Sequence, residues 1–164
     1  MRRRPSSRLL VLSPEERLLL FYFAHRVGPL AGTSFWATPG GALEPDESFE
    51  TAAVRELLEE VNPETYQIGP EIARREFVME LADGEHVLAE EAYFVVRTEA
   101  SEPSKTHWTP LELALMQKHK WWTHAEIAAS GETIYPSDIL AILASTAITS
   151  SAGRGDPKQQ RTTE

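Results

Sequence analysis

The hydrophobic positions of the chain fall into short apolar runs that are separated by turn-forming residues. Two of these runs, 8–12 and 17–24, are joined by Ser-Pro-Glu-Glu and predict two strands connected by a turn. Two longer runs, 71–81 and 87–98, flank Asp83-Gly84, a dipeptide typical of hairpin turns. Because helical stretches alternate with these strands, the pattern predicts a mixed sheet with helices packed on its faces.

The clearest helix is predicted between Asp46 and Val61, a stretch without internal glycine or proline. Asp46 is expected to cap its start. Asn62-Pro63 is expected to end it, because asparagine tolerates a left-handed conformation and proline cannot continue a helix.

The remaining chain is predicted to form short elements and loose ends. The C-terminal third is expected to form helices at 110–119, 124–129 and 137–146 and a strand at 120–122. The lead 1–7 is expected to be flexible and the tail 149–164 disordered, because neither contains core residues. A single domain over residues 8–148 is therefore expected.

Composition and charge narrow the class of protein. The 164 residues fit one domain, and the absence of cysteine excludes disulfides, thiolate zinc sites and thiol nucleophiles. A net charge of −9 argues against a stable nucleic-acid partner, and a protein this acidic needs a local cation to handle phosphates. No apolar stretch is long enough to span a bilayer, so no membrane association and a cytoplasmic location are expected.

Three carboxylates share one face of the predicted helix. At about 100° per residue, Glu56, Glu59 and Glu60 form a patch about 100° wide. The opposite face is expected to pack against the core, and it consists of Val54, Leu57, Leu58 and Val61. Like charges at this spacing repel each other, so the cluster indicates a neutralising partner such as Mg²⁺ or Mn²⁺, which prefer oxygen ligands. A solvated surface is the alternative explanation for a glutamate pair alone.

The glutamates belong to a longer pattern, Gly41-x5-Glu47-x7-Arg55-Glu56-Leu57-x-Glu59-Glu60. This pattern resembles the signature box of the Nudix hydrolases, and the preceding 36–40 resembles the usual approach to that box. The family normally closes the box with glycine and an aliphatic residue, where this chain has Asn62-Pro63. The resemblance implies an α/β fold (α+β) of the Nudix type, an α/β/α sandwich with a mixed sheet and the box helix packed against it.

The resemblance also implies a pyrophosphohydrolase, in which water attacks one phosphorus of a nucleoside diphosphate linked to another moiety. It implies that Glu56, Glu59, Glu60 and the Gly40 carbonyl bind Mg²⁺ or Mn²⁺, and that Glu47 and Arg55 support these ligands. Candidate substrate contacts are Trp36, Gly40, Gly41, Arg74 and Arg75.

The general base is left open by the resemblance. Glu59 or Glu60 is a candidate within the box. Outside it, Glu90 and Glu91 stand at the head of a predicted strand, and Glu102 and Glu112 are weaker candidates.

The substrate is also open among small nucleotides: nucleoside triphosphates including oxidised forms, ADP-ribose, dinucleoside polyphosphates and nucleotide sugars, with capped RNA disfavoured by the acidic charge. A non-catalytic nucleotide-sensing module is the alternative function, although the acidic cluster is complete. An isomerase is a third and less favoured alternative, since such relatives tend to use a cysteine in the site and this chain has none. A homodimer is plausible by resemblance.

Overall fold

The computed structural model describes residues 1–99, 103 and 107–145. In chain order, its elements are β1 (Arg3–Leu12), β2 (Leu18–Ala24), β3 (Ser34–Ala37), β4 (Gly40–Ala42), α1 (Phe49–Glu60), β5 (Tyr66–Glu80), β6 (His86–Thr98), α2 (Pro110–Leu115), β7 (Met116–Trp122), α3 (His124–Ala129) and β8 (Ile134–Tyr135). Residues 139–145 are also helical. Glu102 and the tail 149–164 lie outside the described residues. None of the helices in the described ranges is both long and apolar enough to cross a membrane.

The strands form one mixed sheet in the order β5-β6-β1-β2-β3-β8, with β4 paired to β1 and β7 paired to β2. β1 pairs in parallel with β6 and antiparallel with β2 and β4. The predicted hairpin is confirmed as β5 and β6, and Gly84 in its turn has a positive φ of 90°. A mixed sheet with few helices confirms the expected fold class.

Strand β1 corrects the expectation of a flexible lead at 1–7. Its pairing with β6 begins at Arg3 opposite Leu88. The polar lead is held because its side chains find partners. Arg3 forms an ion pair with Glu76 at 2.7 Å, and the buried Ser7 hydroxyl donates to the Phe49 carbonyl at 2.6 Å. The missing apolar residues are therefore replaced by polar contacts to neighbouring elements.

Both faces of the sheet are buried along the apolar half of β1. Alternate residues of β1 point to opposite sides, so that Leu9 and Val11 enter a first core cluster and Leu10 and Leu12 a second. The first cluster lies under α1 and includes Leu57. The second cluster is covered by side chains from the C-terminal part of the chain, which include Ile127, Ile139, Ile142 and Leu143.

Two element boundaries differ from the predictions. α1 begins at Phe49, and its cap is Ser48, whose side chain accepts from the Thr51 amide at 3.1 Å. Asp46 instead takes a left-handed turn with φ of 63°. The end of the helix is confirmed, with Asn62 at φ of 50°.

The predicted helix at 110–119 is shorter, because the chain from Met116 pairs with β2 as β7. The pairing with β2 extends from Trp122 opposite Leu18 to Met116 opposite Phe23. Sheet pairing therefore overrides the local helical preference of these residues.

Candidate active site

Helix α1 turns two of its glutamates toward the sheet. Glu56 is 6% exposed and Glu60 is 3% exposed, whereas Leu58 is 38% exposed. The prediction that Leu58 faces the core is therefore wrong, and Val54 is only partly buried, while Leu57 and Val61 are buried as expected. Close approach to β4 makes this orientation possible. A methyl group at Gly41 would lie 2.5 Å from Glu56 Oε1, so the glycine leaves room for the carboxylate.

Gly40 is held against Glu60. Its N–H donates to Glu60 Oε2 at 3.2 Å. Its φ of 139° lies in the region that favours glycine, and a methyl group there would lie 2.1 Å from the Ser7 carbonyl oxygen. The backbone of Glu60 is fixed in turn, because Trp108 Nε1 donates to its carbonyl at 2.9 Å. Gly40 and Gly41 therefore let the helix carboxylates approach the β4 backbone closely.

Arg55 ties the box together from the other side. Its guanidinium forms two hydrogen bonds of 2.8 Å to the two oxygens of Glu47. It also donates to Glu56 Oε1 at 3.0 Å, to Glu59 Oε2 at 3.2 Å and to the Ala42 carbonyl at 3.0 Å. Hydrogen bonding to Arg55 lowers the pKa of Glu47 from 4.5 to about 2. Arg55 thus fixes carboxylates at both ends of the box.

A third carboxylate joins Glu56 and Glu60. Carboxylate oxygens of Glu56, Glu60 and Glu112 all lie within 4.8 Å of one another. Glu112 reaches the site from α2, where its Oε1 also accepts from the Thr109 amide at 2.9 Å. Sequence reasoning ranked Glu112 only as a weak base candidate. The capping spacing from Thr109 to Glu112 was its one visible signal, and it indicated a helix start rather than a site.

Burial and mutual repulsion make this carboxylate trio electrostatically unfavourable when ionised. Burial, then the neighbouring Glu56 and Glu112, raises the pKa of Glu60 well above its ordinary value. Burial also raises the pKa of Glu56. Buried carboxylates with raised pKa values are stabilised when they bind either protons or a cation. Glu59 stands outside the trio, with 41% of its side chain exposed.

Glu91 lies on the face of the sheet that points away from α1, where it contacts Arg8 and Tyr93. Arg8 Nε donates to Glu91 Oε2 at 2.7 Å, and the Tyr93 hydroxyl donates to Glu91 Oε1 at 2.7 Å. Arg8 also makes a long contact of 3.4 Å to the Gly40 carbonyl. Sequence reasoning missed Arg8, although a charged residue at the start of a buried apolar run was a visible signal.

The other predicted substrate contacts are engaged within the protein. Trp36 is 4% exposed and packs 5.1 Å from Tyr22. Arg74 lies 4.0 Å above the Phe49 ring and pairs with Glu71. The guanidinium of Arg75 pairs with Asp138 and lies 5.4 Å from the centre of the Tyr93 ring. Roles of Trp36, Arg74 and Arg75 in substrate binding stay predictions.

An open cavity of about 870 Å³ lies on the outer side of α1. Its wall combines Arg55 and Glu59 with the apolar side chains of Val54 and Leu58. The described residues therefore place a partly apolar cleft beside the charged groups of the box. Leu58 thus contributes apolar surface to this cleft, although the same helix buries two glutamates.

The same loop, helix and glutamate spacing defines a known family, and a model of the NUDIX domain matches residues 2–137. The chain belongs to the Nudix family. This membership confirms the expected class, a Nudix-type pyrophosphohydrolase. The match begins at residue 2, in agreement with the position of β1. No curated protein sequence matches the chain.

Solved structures show the same fold. The MutT protein from Methanosarcina mazei Go1 is 20% identical, with a TM-score of 0.62 over 86% of this Nudix chain and 90% of that chain. The E. coli ORF135 protein is 22% identical, with a TM-score of 0.60 over 95% and 96%. The NUDIX domain of Shewanella oneidensis NrtR, solved with ADP ribose, is 16% identical, with a TM-score of 0.56 over 90% and 88%.

Proposed function

We propose that this Nudix protein hydrolyses the diphosphate linkage of small nucleoside diphosphate derivatives, with Mg²⁺ or Mn²⁺ held by Glu56, Glu60 and Glu112. One observation carries the proposal. The three side chains bring carboxylate oxygens within 4.8 Å of one another, and two of them are buried. Such an arrangement is unfavourable without a positive partner, and the diphosphate chemistry of the family needs one.

The donor set fits a hard divalent cation. Carboxylate oxygens, with the Gly40 carbonyl as a proposed backbone ligand, are the ligands that Mg²⁺ and Mn²⁺ prefer. The raised pKa of Glu60 supports the assignment, because a cation would replace the proton that burial favours. When bound, the cation would offset the charge of the phosphates and make water more nucleophilic.

The remaining box residues have supporting roles in the proposal. Arg55 and Glu47 orient the carboxylates through their paired hydrogen bonds. Glu59 is the proposed general base, because it is partly exposed and the described contacts engage only its Oε2. Both oxygens of Glu91 accept hydrogen bonds, which makes Glu91 less suited to take a proton from water.

A small nucleotide is the proposed substrate class. The net charge of −9 disfavours long nucleic acids. ADP ribose belongs in the test panel, because a neighbour of the same fold binds it. A cytoplasmic location and a homodimer stay predictions.

The test is a panel of nucleoside diphosphate derivatives that includes nucleoside triphosphates, ADP-ribose, dinucleoside polyphosphates and nucleotide sugars. Phosphate or pyrophosphate release is measured with Mg²⁺ or Mn²⁺ and with chelator. Glu56→Gln and Glu60→Gln should lower turnover by orders of magnitude. Glu64→Gln, at an exposed position beyond the helix, is the matched control.

Turnover that is independent of metal, or retained in both site variants, would contradict the proposal. Tight binding of a panel member by calorimetry, without cleavage, would instead indicate the nucleotide-sensing module.

A further inference from the structure

An ion pair is buried in the face of the sheet that lies away from α1. The side chains of Arg8 and Glu91 are only 17% and 8% exposed, and Arg8 Nε lies 2.7 Å from Glu91 Oε2. Arg8 lies opposite Tyr93 in the parallel register of β1 and β6, next to Leu10 of the second core cluster. An ionic contact thus occupies a position at the edge of an apolar layer.

Stability alone is a weak explanation for this pair. Removing two charges from water costs free energy that their attraction only partly returns, and well-packed apolar side chains often stabilise such positions equally well. The location of the pair suggests another reason. Arg8 is the direct partner of Gly40 in the pairing of β1 with β4, and its guanidinium lies 3.4 Å from the Gly40 carbonyl.

Both backbone polar groups of Gly40 consequently have a side-chain partner. Its N–H is bound by Glu60, a member of the carboxylate trio, and its carbonyl is approached by Arg8. Glycine at a φ of 139° has more conformational freedom than other residues, so these two contacts limit how the carbonyl turns.

We propose that Arg8 and Glu91 are a positioning pair that fixes the Gly40 carbonyl for the divalent cation. This inference rests on the proposed function. Arg8 directs the carbonyl by donating to it, and Glu91 neutralises Arg8, whose charge would otherwise repel the cation. The Tyr93 hydroxyl holds the second oxygen of Glu91, so the carboxylate stays with Arg8 rather than turning away. Neither residue contacts the substrate in this assignment.

The test measures Mn²⁺ affinity by calorimetry in the full chain. Each single substitution would leave a buried charge without its partner, so the informative variant is the double substitution Arg8→Gln/Glu91→Gln, which removes both charges. Groups that orient metal ligands typically contribute about 10–100-fold to affinity. We therefore expect the Mn²⁺ dissociation constant of this double variant to rise at least about tenfold, with turnover partly recovered at saturating Mn²⁺.

The matched control is Arg3→Gln/Glu76→Gln. It removes an ion pair of 2.7 Å that also involves β1 and changes the charge equally, but its side chains are about half exposed and no contact among the described residues joins them to Gly40. Its Mn²⁺ affinity should match that of the wild type.

Two results would overturn the inference. One is wild-type Mn²⁺ affinity in Arg8→Gln/Glu91→Gln, even with a lowered thermal midpoint, because the pair would then be merely structural. The other is an equal loss of affinity in the control, because overall charge would then explain the effect. If the wild type itself binds no Mn²⁺, the proposed function fails first and the inference with it.

Discussion

Gly41→Ala tests the position of the Glu56 carboxylate with a single methyl group. The new methyl would lie 2.5 Å from Glu56 Oε1, and ordinary contact begins at 3.4 Å. The carboxylate must therefore retreat by roughly 0.9 Å, the difference between these two distances. It has little room to do so, because Glu56 is 6% exposed and its Oε1 accepts from Arg55 at 3.0 Å.

The expected effect is on catalysis as well as on folding. A displacement of about 1 Å in a catalytic group can lower the rate about a hundredfold, which corresponds to about 2.7 kcal/mol. Gly41 does not have a positive φ, so alanine fits its backbone conformation, but crowding of the buried Glu56 carboxylate should lower the free energy of unfolding by about 1–3 kcal/mol. The assay is kcat/KM for the best substrate of the panel, with urea unfolding of the same protein.

Gly131→Ala is the matched control, because a methyl group there meets nothing within 4 Å. Wild-type turnover in Gly41→Ala would refute the reasoning, since Glu56 would then be either elsewhere or unnecessary. Equal losses of activity in both variants would show that glycine replacement acts through general stability.

Three further predictions concern the carboxylates. Burial raises the pKa of Glu60 above its unfolded value, so ionisation of Glu60 destabilises the metal-free protein as the pH rises above that value. In the presence of chelator, Glu60→Gln should therefore raise the free energy of unfolding at neutral pH by about 0.5–2 kcal/mol. The same variant should lose turnover. The pKa of Glu47 is lowered from 4.5 to about 2, so the contact between Glu47 and Arg55 stabilises the fold above pH 4.5 and loses this effect as the pH falls toward 2. Urea unfolding in acid should therefore show a smaller loss of stability for Glu47→Gln than for the wild type. Glu112→Gln keeps the capping bond to Thr109 and should weaken Mn²⁺ binding about 10–100-fold in calorimetry without changing the thermal midpoint; unchanged affinity would exclude Glu112 from the site.

Local signals account for the parts of the fold that the sequence predicts. Asp83-Gly84 predicts the hairpin because a tight turn needs residues of this type, and Asn62 predicts the helix end because it tolerates a positive φ. The box spacing predicts the family, since all its fixed residues lie on one helix and the loop before it, so their spacing along the chain determines their arrangement. Arg55, Glu47 and the trio members Glu56 and Glu60 are all found in this way.

Features that depend on distant partners escape the same reasoning. Residues 3–7 look flexible because their partners Glu76 and Phe49 are far along the chain. The helical wheel places Leu58 in the core because hydrophobicity alone does not reveal that Gly41 makes room for a glutamate. Glu112 and Arg8 reach the box from other elements, so no spacing within the box indicates them.

The parallel pairing of β1 with β6 also determines the order in which the protein can be completed during synthesis. β1, β4 and α1 leave the ribosome early, and the contact between Gly40 and Glu60 needs nothing beyond them. Arg8 must wait for Glu91, because β6 is made much later and closing so long a loop is slow. A nascent chain that stops before β6 therefore has its box glutamates but an unpaired arginine beside them. The last strand pairing at β1 and the neutralisation of Arg8 by Glu91 therefore form in the same step.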